Sequence, residues 1–394
     1  MKVAMLGWEF PPFISGGLGI HCYELTRRLA EDGVEVDFYM PHMSSLQGQG
    51  RVAVHHGHLN VKEIEADPAI EPYGGESRYD ANFNAAVGLY NRRLVAAFDS
   101  PGADVLHCHD WITVPAALEL KRRTGLPLVF TVHSTEYDRS GGFWPQGWIE
   151  DIERRGVQGA DRLIAVSRYT KDLIVRLYGA DPERVFPVHN GIDADRFPGG
   201  DGRDYDTERG TVLFLSRLTP QKCPLQFLQA AKRVLEVRPE TRFVVAGKGE
   251  MLPQCIDYAF RAGIEDNVRF TGFVPEDELP GFYSDNELYV LPSFSEPFGI
   301  SVLEAMATGL PTIVSRTSGV GEALQHVLKA EYWDTDEMAD QIIALLASPE
   351  LRAEMGRNGA REAKRFTWST TSRRTIEVYQ GIVSRPRLQP MLLA

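Results

Sequence analysis

Apolar residues recur along the chain in two alternating rhythms. Short, mainly apolar runs at residues 2–6, 34–40, 104–108, 128–132, 163–166 and 185–189 read as buried strands. Between them, helical spacing appears at residues 21–32, 82–98, 114–123 and 169–178. Residues 44–80 show neither rhythm and read as irregular. A polar, glycine-rich stretch at residues 198–210 then interrupts the pattern and reads as a domain boundary. A second series follows, with strands at 211–215, 242–246, 268–271, 288–291 and 312–314. Its helices fall at 225–237, 252–262, 279–283, 300–307, 336–346 and 349–365. Strand–loop–helix repetition of this kind predicts an α/β protein with two doubly wound, Rossmann-like domains. The expected boundaries are residues 1–197 and 198–368. The amphipathic last segment, about 369–394, is expected to pack back on the first domain, with a frayed tail after residue 385.

A chain of 394 residues fits this two-domain reading. Composition narrows function mainly by exclusion. A formal net charge of −12 argues against nucleic-acid backbones or anionic membranes as main partners. The chain opens directly on a strand-like run without a signal-peptide pattern and contains no apolar run of 18 residues, which makes a cytoplasmic location the default expectation. Cys22, Cys108, Cys223 and Cys255 form no C-x-x-C pair. His107, Cys108, His109 and Asp110 resemble a ligand cluster, but no second ligand pair lies nearby in sequence, so no metal is expected.

Chemically capable residues gather just past strand ends, where open α/β sheets bind ligands. Gly16 and Gly17 lie between the first strand and its helix, where backbone amides could approach an anion. Asp110 and His133 each follow a strand of the first series. Arg217 and Lys222 occupy the loop after the first strand of the second series, where a guanidinium and an ammonium can grip a diphosphate. Residues 291–311 carry Glu296 in a loop and Glu304, eight residues on, inside the following helix. Taken singly, each feature has an ordinary structural reading: a turn, a satisfied histidine, solvated cations, a helix cap.

Their order along the chain resembles the retaining family-4 glycosyltransferases of the GT-B fold, including glycogen and starch synthases, over about residues 1–380. The most specific signal is the Glu296 to Glu304 pair with Pro297, Phe298 and Gly299 between. The Ser216-Arg217-Leu218-x-x-x-Lys222 run and the His189-Asn190-Gly191-Ile192-Asp193 run support it. The opening glycine loop and the His107 to Trp111 segment resemble the glycogen synthases, and residues 132–139 and 328–339 look like the compact, archaeal-type ones. The synthases commonly carry Lys two residues before the second glycine of the pair. Here that position is Ser15.

The resemblance implies transfer of a hexose from a nucleoside diphosphate sugar to a hydroxyl, without metal or other cofactor. Arg217 and Lys222 would stabilise the leaving diphosphate, with amides of Gly16 and Gly17 helping. Glu296, with amides near Phe298, Gly299 and Ile300, would bind the transferring sugar, and Glu304 the ribose. His133 would sit near the anomeric centre, and Asp110 would orient sugar or acceptor. ADP-glucose with an α-glucan is the favoured pair. UDP-glucose or another nucleotide sugar with a small-molecule or lipid-linked acceptor is the alternative. Three rivals remain open on sequence: a nucleotide-sugar epimerase, a nicotinamide dehydrogenase, which the missing G-x-G-x-x-G disfavours, and a non-catalytic glucan-binding protein.

Overall fold

The computed structural model of the protein describes residues 1–11, 14, 16–42, 57–66, 81–199 and 210–383. Ser15, most of the stretch expected to be irregular, most of the boundary segment and the tail therefore lie outside the described residues. Seven strands form the first sheet: β1 (Lys2–Leu6), β2 (Glu35–His42), β3 (Leu59–Glu65), β4 (Val105–His109), β5 (Leu128–Val132), β6 (Arg162–Ala165) and β7 (Val185–Pro187). They are all parallel, in the order β3-β2-β1-β4-β5-β6-β7. Six strands form the second: β8 (Thr211–Leu215), β9 (Arg242–Ala246), β10 (Val268–Gly272), β11 (Leu288–Leu291), β12 (Thr312–Ser315) and β13 (Leu328–Ala330). These are also parallel, in the order β10-β9-β8-β11-β12-β13. Central strands such as β4, β5 and β11 are buried along their whole length, as parallel strands covered by helices on both faces must be. Each sheet reverses direction once, between β1 and β4 in the first and between β8 and β11 in the second. Ligands of doubly wound sheets bind at such switch points, beyond the carboxyl ends of the strands.

The structure departs from the expected elements in places that follow simple causes. β3 lies inside the stretch read as irregular. It is an edge strand whose apolar residues Leu59, Val61 and Ile64 are separated by Asn60, Lys62 and Glu63, so it lacks a continuous apolar run. The first helix begins at Gly17 rather than His21, so the glycine pair caps and opens it instead of preceding it. The helix after β4 begins at Asp110 and runs to Thr124 across Pro115. Asn91 mends the ladder there: its amide nitrogen donates to Ile112 O at 2.8 Å and its oxygen accepts from Ala116 N at 2.8 Å. Helices Glu136–Arg139 and Gly147–Gly159, and strand β13, are additional to the expected set.

The final helix, Trp368–Val383, lies against the first domain. Tyr379 hydroxyl meets His107 Nδ1 at 2.6 Å, Ser372 donates to Asp32 at 2.7 Å, and Arg162 donates to Gly381 O at 2.9 Å. The chain thus crosses between domains twice, and the crossings touch: Ile192 N donates to Phe366 O at 2.9 Å, and Thr371 Oγ1 to His189 O at 2.8 Å.

Candidate active site

The expected residues converge on the two switch points, which face each other. Gly16 caps the helix Gly17–Glu31 and Gly299 caps the helix Ile300–Ala307, and as glycines neither cap residue offers a side chain to the first amides. A Cβ placed on Gly17 would lie 3.7 Å from Ile300 Cδ1, so the two helix starts are opposed across the cleft. Two such N-termini bring backbone N–H groups and the positive ends of two dipoles to one place. Gly299 has φ of +103°, and a side chain there would crowd Glu296 Cγ at 3.2 Å, so glycine is what allows Glu296 and the helix start to share the turn.

On the second-domain wall, Lys222 ends the short turn Pro220–Lys222 after β8, and its Nζ meets Glu296 Oε2 at 2.5 Å. Ser293 Oγ also donates to Glu296 Oε2, at 3.2 Å. Both charged groups are buried, so each is held against the cost of desolvation by the other. Arg217 is half-buried in the same loop, whose backbone lies tightly on the following turn: Ser216 N donates to Ala246 O at 3.1 Å and Leu218 N to Lys248 O at 2.8 Å. Gly247, with φ of +130°, makes this approach possible, since a Cβ there would sit 1.9 Å from Ser216 O. Glu304 is buried and accepts from Tyr283 hydroxyl at 2.9 Å. Burial pushes its carboxyl up to about 7, partly opposed by the Tyr283 hydrogen bond and by Arg196. Between Glu304, Ile300 and the first-domain residues Ile20 and Trp368 lies a cavity of about 20 Å³.

On the first-domain wall, Asp110 Oδ1 accepts from His133 N at 2.7 Å and Ser134 N at 3.3 Å, tying the end of β4 to the end of β5. Burial pushes its carboxyl up to about 7. Asp110 and Cys223, which follows Lys222, are the non-glycine residues with positive φ among the described residues, both at +53°. Strained backbone of this kind persists where surrounding contacts enforce it. His133 Nε2 lies 2.9 Å from His109 Nδ1, and its ring meets His21 edge-on at 4.4 Å. His21 Nδ1 in turn meets Asn190 Oδ1 at 2.8 Å. Burial lowers His21 to about 4 and His107 to about 3, and drives His109 and His133 well below the ordinary value, so all four rings are neutral at pH 7.

The sequence offered only His107 and His109 as a ligand pair. The fold adds His21 and His133, and one ring nitrogen from each of His21, His109 and His133 falls within 4.8 Å of the others. That trio is the group among the described residues that could hold a cation, although the His109–His133 contact already engages two of its nitrogens.

Sequence reasoning also missed a clamp between the domains. Ser167 caps the helix Arg168–Tyr178 and donates to Pro297 O at 2.6 Å, beside Glu296. Ser295 meets Tyr169 hydroxyl at 2.7 Å and donates to Asp138. Glu322 accepts from Arg168 N at 2.7 Å and Tyr169 N at 2.8 Å, capping a first-domain helix from the second domain, and pairs with His189 at 2.9 Å. The Thr135-x-x-Asp138 capping box was a visible signal for part of this.

Two doubly wound domains with their switch points opposed across a cleft define the GT-B architecture. The chain belongs to the GT-B glycosyltransferases and is a transferase enzyme: Glycosyltransferase Family 4 matches residues 15–196, and Glycosyl transferases group 1 matches residues 203–362. It is 32% identical to D-inositol 3-phosphate glycosyltransferase 2 of Catenulispora acidiphila, over 93% of this chain and 90% of that one. It is 30% identical to a glycogen synthase of Mycobacterium tuberculosis, over 96% of this chain and 94% of that one. Among solved structures, a sucrose-phosphate synthase from Thermosynechococcus elongatus shares the fold with a TM-score of 0.81 at 19% identity, covering 97% of this chain and 98% of that chain. No helix among the described residues is long and apolar enough to cross a membrane.

Proposed function

We propose that the protein is a retaining glucosyltransferase, glycogen-synthase-like, that moves glucose from a nucleoside diphosphate glucose, with ADP-glucose favoured, to an α-glucan. The observation that carries this reading is the pair of glycine-capped helix starts facing each other with Lys222 and Glu296 beside them. The diphosphate takes Lys222 from Glu296, with Arg217 and the Gly16 and Gly17 amides completing its shell. Released, Glu296 accepts hydroxyls of the glucose, with the Phe298, Gly299 and Ile300 amides on the same sugar. Glu304 takes the ribose. His133 lies near the anomeric carbon, and Asp110 holds that histidine's backbone in place.

The bond from the anomeric carbon to the diphosphate oxygen breaks, and the acceptor hydroxyl oxygen bonds to the same face, its proton passing to the departing diphosphate. Asp110 is engaged by the His133 backbone, and Glu296, once released, by hydroxyls of the glucose, which favours this same-face route over a carboxylate nucleophile. A trapped glycosyl-enzyme adduct on any carboxylate overturns it. The 32% identity to a D-inositol 3-phosphate glycosyltransferase favours a second reading, a small phosphorylated polyol as acceptor. A panel of nucleotide sugars against glycogen, maltooligosaccharides, glycerate and inositol phosphate, following released diphosphate, decides. Release that depends on glucan supports the first reading, and release that depends on the small polyol replaces it.

A further inference from the structure

The outer rim of the cleft carries a feature that the donor and sugar roles leave unused. Phe143 and Trp144 of the first domain are 69% and 85% exposed, and Trp333 of the second is 60% exposed. Phe294 joins them: its ring centroid lies 6.1 Å from Phe143, 5.6 Å from Tyr137 and 5.2 Å from Tyr332, which is 4.9 Å from Trp333. Tyr137, Phe143, Phe294, Tyr332 and Trp333 form a strip that begins on one domain, crosses the boundary at Phe294 and ends on the other, and Trp144 stands next to Phe143 in the chain. Contiguous exposed apolar surface of this kind marks a binding site.

Two observations say what covers it. The strip is continuous with the cleft. Phe294 stands two residues before Glu296, and its amide donates to Gln221 O at 2.8 Å, next to Lys222. Gly142 comes so near that a Cβ there would lie 2.7 Å from the Phe294 ring. The second observation is charge. Trp333 is flanked in sequence by Glu331 and Asp334 on a chain of net charge −12, which repels an anionic lipid surface. A neutral polyhydroxylated chain meets no such repulsion: its C–H faces stack on rings and its hydroxyls find carboxylates at the edge.

We infer that the strip is a platform for an extended glucan chain, binding it outside the catalytic cleft. The inference rests on the proposed function only for the claim that the chain held here is the one elongated. The test compares wild type with Trp144→Ala and Trp333→Ala, both at exposed positions. Each is run through gels containing glycogen without donor, then assayed for transfer to glycogen and to maltotriose. Retardation by glycogen should weaken roughly tenfold in each variant, and KM for glycogen should rise with it, while kcat and the KM values for donor and maltotriose stay within roughly twofold. Wild type that migrates unretarded, variants retarded like wild type, or a matching rise in KM for maltotriose overturns the platform. Capture by phosphatidylcholine vesicles that these rings mediate, without retardation by glycogen, overturns it as well. Wild type retarded through these rings that transfers only to a small polyol leaves the platform standing and overturns the function. Glycogen elongation with unaltered variant KM does the reverse.

Discussion

On the first-domain wall of the cleft, four imidazoles, His21, His107, His109 and His133, are held neutral by burial. On the second-domain wall, Lys222 and Glu296 meet as an ion pair at 2.5 Å. The same degree of burial therefore yields two electrostatic outcomes. Burial strips the imidazoles of their protons, while a buried ammonium and a buried carboxylate offset each other's desolvation by pairing. For the proposed reaction this is a division of labour. Neutral imidazoles would face the sugar, and the ion pair would meet the diphosphate. Asp110 is the exception on the first wall. Its raised carboxyl is tied to backbone amides, where it orders β4 against β5.

The contrast breaks most readily at Lys222. Lys222→Ala should lower turnover by about 100-fold or more, and it should also destabilise the protein by about 3 kcal/mol, because Glu296 is left buried without its partner. Arg217→Ala should produce a similar loss of turnover. Steady-state kinetics with chemical denaturation checks both, and near-normal turnover in either variant removes the diphosphate assignment.

Acidity sharpens the contrast, because His21 on one wall and Glu304 on the other respond to it with opposite sign. His21 falls from 6.5 to about 4 on folding, so the unfolded chain binds more protons between those values and stability drops as pH falls below 6.5. Glu304 rises from 4.5 to about 7, so the folded chain binds more protons in that window and stability grows as pH falls below 7. His21→Gln should flatten the acid loss by up to about 1.4 kcal/mol per pH unit, and Glu304→Gln should remove a gain of the same size. Urea unfolding from pH 5 to pH 8 reads both slopes, and two slopes of the same sign would erase the distinction between the walls.

The smallest effect is expected at the clamp that sets one wall against the other. Ser295→Ala removes the contacts to Asp138 and Tyr169 and should lower kcat/KM by about fivefold, through the placement of Glu296. Donor KM should move more than unfolding stability. A variant with unchanged donor KM would make the contact structural only.

Much of this was legible in the sequence because parallel strands covered on both faces are written as mainly apolar runs. β1, β5, β8 and β11 fall where the runs do. β3 was hidden because polar and charged residues separate its apolar positions, as an edge strand allows. Residues on the loops after strands could be placed at the cleft, since topology decides where those loops end. Histidine neighbours could not: His21, His109 and His133 come from a helix and two strand ends, and nothing in local spacing brings them within 4.8 Å. Of the clamp only the Thr135-x-x-Asp138 capping box was visible, because Ser167, Ser295 and Glu322 act through contacts between domains.

The double crossing has a consequence for how such molecules can be recombined. Because Trp368–Val383 returns to the first domain, the second domain is, covalently, an insertion within it. Its two ends meet where Ile192 N donates to Phe366 O. A graft of that insert from a relative would need two joins set side by side, and could leave the neutral imidazole wall untouched. Cutting the chain once near residue 200 would instead strand Tyr379 away from His107. In breeding new specificities, the exchangeable unit is the middle of the gene, not either half.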